Sequence, residues 1–84
     1  QNGTIYAKGL FSKDLKTGWW EFFNEQGEKI KEGHFVDGLK DGFWKLYKNN
    51  KLILDGKYRK NTKIGSWKIY DETGKIKQIV QYGE

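Results

Sequence analysis

A proton carrier, a nucleophile and a pair of carboxylates are the groups that could do chemistry in so short a chain, and its 84 residues offer few of them. His34 is the single histidine, and an imidazole can exchange a proton near neutral pH. Asp37 and Asp41, four residues apart, could share a proton as an acid pair. Ser12 and Ser66 are the serines, and neither stands in the strand-to-helix elbow that exposes a nucleophile. The glycines never fall as G-x-G-x-x-G, so no phosphate-cradling loop is expected. With no cysteine and one histidine, the chain lacks the ligand set of a zinc site and can form no disulfide. Neither a cofactor nor a catalytic activity is expected.

Binding chemistry is better represented. Fourteen aromatic residues are interleaved with fifteen lysines and Arg59. The charge is uneven. Residues 1–41 hold six lysines against seven carboxylates, a balance of −1, and residues 42–84 hold nine lysines and Arg59 against four, a balance of +6. Lys45, Lys48, Lys57, Arg59, Lys60, Lys63 and Lys68 are therefore the candidates for contact with an anionic partner. Basic groups alternating with Tyr47 and Tyr70 could follow a single-stranded nucleic acid or an anionic lipid surface. The same lysines could equally be a solubilising face, with the tyrosines as cross-strand packing pairs.

What could hold these side chains in place is a repeat. "KDLKTGWWEFF" at 13–23 returns as "DGLKDGFWKLY" at 37–47 and as "KNTKIGSWKIY" at 60–70. Gly18, Gly42 and Gly65 open the three runs. Trp20, Trp44 and Trp67 follow two residues on, and Phe22, Leu46 and Ile69 follow four residues on, at intervals of 24 and 23 residues. Asn24-Glu25-Gln26-Gly27, Lys48-Asn49-Asn50-Lys51 and Asp71-Glu72-Thr73-Gly74 then read as hairpin turns. A second run follows each turn, with Gly33 and Gly56 matching each other and Gly9 belonging to a partial earlier copy, where Asn2-Gly3 occupies the turn position. Asp37 and Asp41 correspond to Lys60 and Ile64, and His34 to Lys57, so the candidate proton carriers change identity from copy to copy.

The period-two spacing of Trp20/Phe22, Trp44/Leu46 and Trp67/Ile69 puts each pair on one face of a strand. Glycines and turn groups interrupt every stretch that could propagate a helix. The spacing predicts an all-β chain of seven strands near 4–11, 18–24, 28–36, 42–48, 52–60, 65–71 and 75–82. They form an open-ended antiparallel meander, with the Trp positions as a shared core layer. The chain reads as one domain over 1–84, with a partial repeat at 1–17 and repeats at 18–41, 42–64 and 65–84. Gly9, Gly33 and Gly56, inside strand patterns, are expected where a neighbouring side chain comes close.

These residues resemble the MORN repeat (membrane occupation and recognition nexus), most of all its bacterial variant, built on G-x-W-x-x-Y, a turn, and G-x-Y-x-x-G-K-x-x-G. "GFWKLY" with "GHFVDGLKDG" fits that pattern, "GSWKIY" with "GKYRKNTKIG" fits with Asn61 in place of a glycine, and "GWWEFF" puts Phe23 in place of the tyrosine. The last copy departs furthest, with Val80 where the others have glycine. The resemblance covers nearly the whole chain. It implies an elongated, curved sheet of β-hairpins acting as a scaffold, a dimerisation module or a membrane-proximal module. Bacterial members are sometimes labelled antitoxin components, and eukaryotic members occur beside lipid kinase domains, although nothing in this chain resembles a kinase. A protein partner is the reading favoured first, an anionic phospholipid surface met by the basic C-terminal half second, and nucleic acid last. Self-association through the edge strands is expected at high concentration.

Overall fold

The structure is a computed structural model that describes residues 6–83. Seven strands follow one another without a helix among the described residues: β1 Tyr6–Ser12, β2 Leu15–Phe23, β3 Lys29–Val36, β4 Leu39–Lys48, β5 Lys51–Arg59, β6 Thr62–Tyr70 and β7 Ile76–Tyr82. They form one antiparallel sheet in chain order, open at β1 and β7. The expected Asn2-Gly3 turn and the first residues of the first strand lie outside the described residues.

Two kinds of turn make the meander. Lys13-Asp14, Asp37-Gly38, Asn49-Asn50 and Lys60-Asn61 each have positive φ at both positions. That is the two-residue hairpin whose twist suits the flanking strands. The β2–β3 and β6–β7 turns are longer and are built alike. The side-chain oxygen of Asn24 accepts the N–H groups of Gln26 and Glu28, each at 3.0 Å. Asp71 Oδ1 accepts those of Thr73 and Lys75 at 2.9 and 3.0 Å. The β4–β5 turn is of the short kind, which accounts for the change of repeat spacing from 24 to 23.

The even-numbered strands begin about three residues before the repeat glycines, earlier than the sequence suggests. Residues 15–17, 39–41 and 62–64, outside the expected strands, are strand. Gly18, Gly42 and Gly65 lie inside these strands with φ of +74°, +103° and +70°. Opposite each, the preceding strand loses register: Lys8 pairs with Glu21 but Leu10 with Thr17, and the same step recurs at Gly33/Phe35 and Asp55/Lys57. These are bulges. They bend the strand and free a backbone carbonyl on its neighbour.

The indoles occupy that opening. Trp20, Trp44 and Trp67 donate Nε1–H to the carbonyls of Leu10, His34 and Lys57, each ten residues back, at 3.0, 2.9 and 3.1 Å. Each ring lies flat on the glycine of the preceding strand. A Cβ added to Gly9, Gly33 or Gly56 would stand 2.2, 2.0 or 2.1 Å from Trp20, Trp44 or Trp67. The close approach expected at these glycines is therefore made by the repeat tryptophans themselves.

The core is a row of rings, one per strand, running from Phe11 through Trp20, Phe35, Trp44, Tyr58 and Trp67 to Tyr82. Neighbours meet edge to face at 81–86°. Phe11–Trp20, Phe35–Trp44 and Tyr58–Trp67 are the closer pairs, at 5.0, 5.1 and 5.2 Å. Such pairs add roughly 0.5–1.5 kcal/mol to the burial of their area. Trp44 and Trp67 are each 1% exposed, Trp20 4% and Phe35 7%, with Phe22, Leu54 and Tyr58 packed against them. Lysine completes the cover. Lys16 stands over Trp20 and Phe35, Lys40 over Trp44 and Tyr58, and Lys63 over Trp67 and Tyr82, all between 5.0 and 5.7 Å. It is the ammonium groups themselves that lie over the ring faces, and burial there pushes the Lys40 ammonium below its ordinary value.

Candidate functional site

Strand alternation sends the neighbours of the buried tryptophans to the opposite face, and that face differs along its length. Its middle is a charged row. Across the ladder Lys8 faces Glu21, Glu21 faces Glu32, Glu32 faces Lys45, Lys45 faces Asp55, and Asp55 faces Lys68. Glu32 is its most buried member, 8% exposed. It accepts Trp19 Nε1–H at 2.9 Å, the Lys29 ammonium at 3.2 Å and the Tyr47 hydroxyl. Burial pushes the Glu32 carboxyl up, but the hydrogen bonds from Tyr47, Trp19 and Lys29 outweigh it and hold the group below its ordinary value. Burial, together with the Glu32 hydrogen bond, pushes the Tyr47 phenol up to about 12. Lys29 also binds Glu21 at 2.8 Å, which lowers the Glu21 carboxyl and raises the Lys29 ammonium. Tyr70 and Asp55 repeat the Tyr47–Glu32 pair in the next copy at 3.1 Å, again fifteen residues apart.

Toward the end carrying the Lys13-Asp14 and Asp37-Gly38 turns, the same face becomes apolar. Leu10, Trp19 and Phe43 line it beside the charged row, and Leu15, Val36 and Leu39 line it nearer the turns. They are exposed by 69, 43, 60, 45, 44 and 37% respectively. All six come from β1–β4. In β5–β7 the matching places hold Lys57, Arg59, Thr62, Ser66 and Gln81. The patch therefore stops at β4. Large apolar side chains gathered on one exposed face, here with His34 paired to Trp19 among them, are characteristic of an interaction surface.

The seven candidate cations do not form one surface. Lys45, Lys57, Arg59 and Lys68 occupy the charged and apolar face by register, with Lys57 4.9 Å over the Phe43 ring. Lys63 is on the aromatic face, Lys60 is in a two-residue turn, and Lys48 ends β4 at the other end of the sheet. Tyr47 and Tyr70 share the face of Lys45 and Lys68, as alternation predicts, and donate their hydroxyls to carboxylates. Of the candidate proton carriers, His34 Nδ1 lies 3.0 Å from the Asp41 carbonyl. Asp41 Oδ2 accepts the Lys60 N–H at 3.3 Å, and Asp37 forms a turn.

Sequence reasoning missed the apolar patch and the Glu32 cluster. A signal for the first was present: Trp19 and Phe43 directly precede the core tryptophans and so must face away from them. The second had no local signal, because its donors arrive from β2, β3 and β4. Comparison of the chain with protein-family models, curated proteins and solved structures finds no match.

Proposed function

We propose that this chain is a non-catalytic interaction module of the MORN type, and that it holds a protein partner on the face opposite its aromatic row. The observation that carries this reading is the exposed patch of Leu10, Leu15, Trp19, Val36, Leu39 and Phe43 on one end of one face. These side chains lie on the face opposite the row of rings, whose inner members are covered by their own tryptophans and lysines. Trp19 and Phe43 are large, stiff aromatics of the sort that dominate interface energies, and the charged row beside them supplies a polar rim.

A photo-reactive residue placed at Phe43, in cells of the source organism, tests this. The expected result is a discrete protein adduct that disappears when Trp19 is also changed to Ser and is absent when the probe replaces Lys68. Crosslinking to lipid alone, with retention on anionic vesicles that salt abolishes, would instead favour the peripheral-membrane alternative. A nucleic-acid adduct would exclude both.

A further inference from the structure

Among the described residues, the row of rings lacks a covering strand at the β1 end and is obstructed at the β7 end. Inside the sheet each odd-numbered strand is covered on its N-terminal side by an even one: β2 on β3, β4 on β5 and β6 on β7. The contact is made the same way each time. The even strand brings its tryptophan to the odd strand's aromatic, Phe35, Tyr58 or Tyr82, at 6.2, 6.0 and 6.4 Å. Its lysine, four residues before the tryptophan, stands over the same ring at 5.7, 5.0 and 5.4 Å. In the two inner contacts the lysine carbonyl also takes a turn N–H, Lys16 from Gly38 at 2.9 Å and Lys40 from Asn61 at 2.8 Å.

β1 is the one odd strand without this cover among the described residues. Phe11 is 63% exposed, whereas its counterpart Phe35, between Trp20 and Trp44, is 7% exposed. Asp14, in the place of Gly38 and Asn61, has no such carbonyl partner among the described residues. All seven residues of β1 are exposed. The far edge is different. On β7 the glycine place is filled by Val80. A Cβ at that place in the other copies would come within 2.0–2.2 Å of the following indole, so β7 cannot take a tryptophan-bearing strand in the same way.

We propose that the edge of β1, which no described residue covers, is a strand-acceptor site, and that its partner is an extended polypeptide segment of pattern Lys-x-Gly-x-Trp. The chain's own 16–20, 40–44 and 63–67 define that chemistry three times. Main-chain hydrogen bonds would provide the pairing. The lysine and tryptophan on Phe11 would provide the selectivity. The site uses an edge and the aromatic face, so it stands or falls separately from the patch on Trp19 and Phe43.

Isotope-labelled 84-residue chain, titrated with a synthetic ten-residue peptide copying Leu39–Lys48, tests the proposal by nuclear magnetic resonance. One peptide should bind per chain, with shift changes and slowed amide exchange confined to residues 6–14. Replacing the tryptophan in the peptide by Ala, or changing Phe11→Ser in the chain, should weaken binding about tenfold. A chain carrying Trp19→Ser and Phe43→Ser should bind as before. Val80→Gly should open a second site at β7. The proposal is overturned if millimolar peptide perturbs nothing, if the changes centre on β7 in the unaltered chain, or if the peptide without its tryptophan binds equally well. A Val80→Gly chain that still binds one peptide would overturn the assignment of Val80 as the obstruction.

Discussion

At the scale of single residues, Gly9, Gly33 and Gly56 are required for the space that a tryptophan fills. Gly33 has the backbone of an ordinary strand residue, but Trp44 fills the space its side chain would need. Gly33→Ala should therefore lower stability by about 1–3 kcal/mol, the usual cost of forcing a methyl into a packed core. Gly83→Ala should change nothing measurable, since no atom lies within 4 Å of its Cβ position. Urea midpoints of the two variants check this. Glu32 gives a prediction about pH. Its carboxyl is held below the ordinary value in the fold, so the unfolded chain binds a proton first as pH falls. The stabilisation is complete above the unfolded value and is lost as pH drops through the folded one. Tyr47 works at the other extreme. With its phenol raised from 10.0 to about 12, the unfolded chain ionises first, and stability should decline between those two values. Glu32→Gln should flatten the acid limb of a stability-against-pH curve and Tyr47→Phe the alkaline limb. Limbs unchanged in both variants would mean that these two groups do not set the pH response. The Tyr47 face was legible from alternation, but the buried carboxylate was not, because burial of an acid depends on neighbours from other strands.

At the scale of elements, the seven strands and their antiparallel order could be read from the repeat, and the strand starts could not. Asp14, Gly38 and Asn61 do reverse the chain with positive φ, as their residue types suggest. The stretches after them, such as Lys16-Thr17-Gly18, look like linkers because they are polar and end in glycine. In the fold they are strand that runs into a bulge, and the glycine marks the bulge and not the start of pairing. A bulge depends on register between two strands, and one strand's sequence does not contain it. The turns themselves are testable. Asn50 has φ of +65° in the two-residue β4–β5 turn, a conformation that β-branched side chains resist. Asn50→Val should cost about 1–2 kcal/mol, and Asn50→Gly should preserve or slightly raise the thermal midpoint. A valine tolerated there without loss would argue against this turn geometry.

At the scale of the whole molecule, the sheet measures 39 × 35 × 17 Å, one layer of strands with a closed face and an open one. A single layer has no second sheet to cover its core, and the lysine-capped row of rings takes that role. The shared tryptophan layer was evident in the 24- and 23-residue spacing. The lysines at 16, 40 and 63 recur at the same spacing but read as surface charge, because attraction to a ring is visible only once the ring is placed. The division of labour between the faces can be probed at two adjacent residues, Phe43 on the open face and Trp44 on the closed one. Phe43 is 60% exposed and Trp44 1%. Trp44→Ala should cost about 3–5 kcal/mol, the range for an aromatic removed from a core. Phe43→Ser, like the open-face change Lys45→Ala, should stay within about 0.5–1 kcal/mol of the unaltered chain. The direct measurement is the urea unfolding midpoint of Phe43→Ser and Trp44→Ala side by side. The closed-face account predicts a large fall for Trp44→Ala with almost none for Phe43→Ser, and equal falls would contradict it.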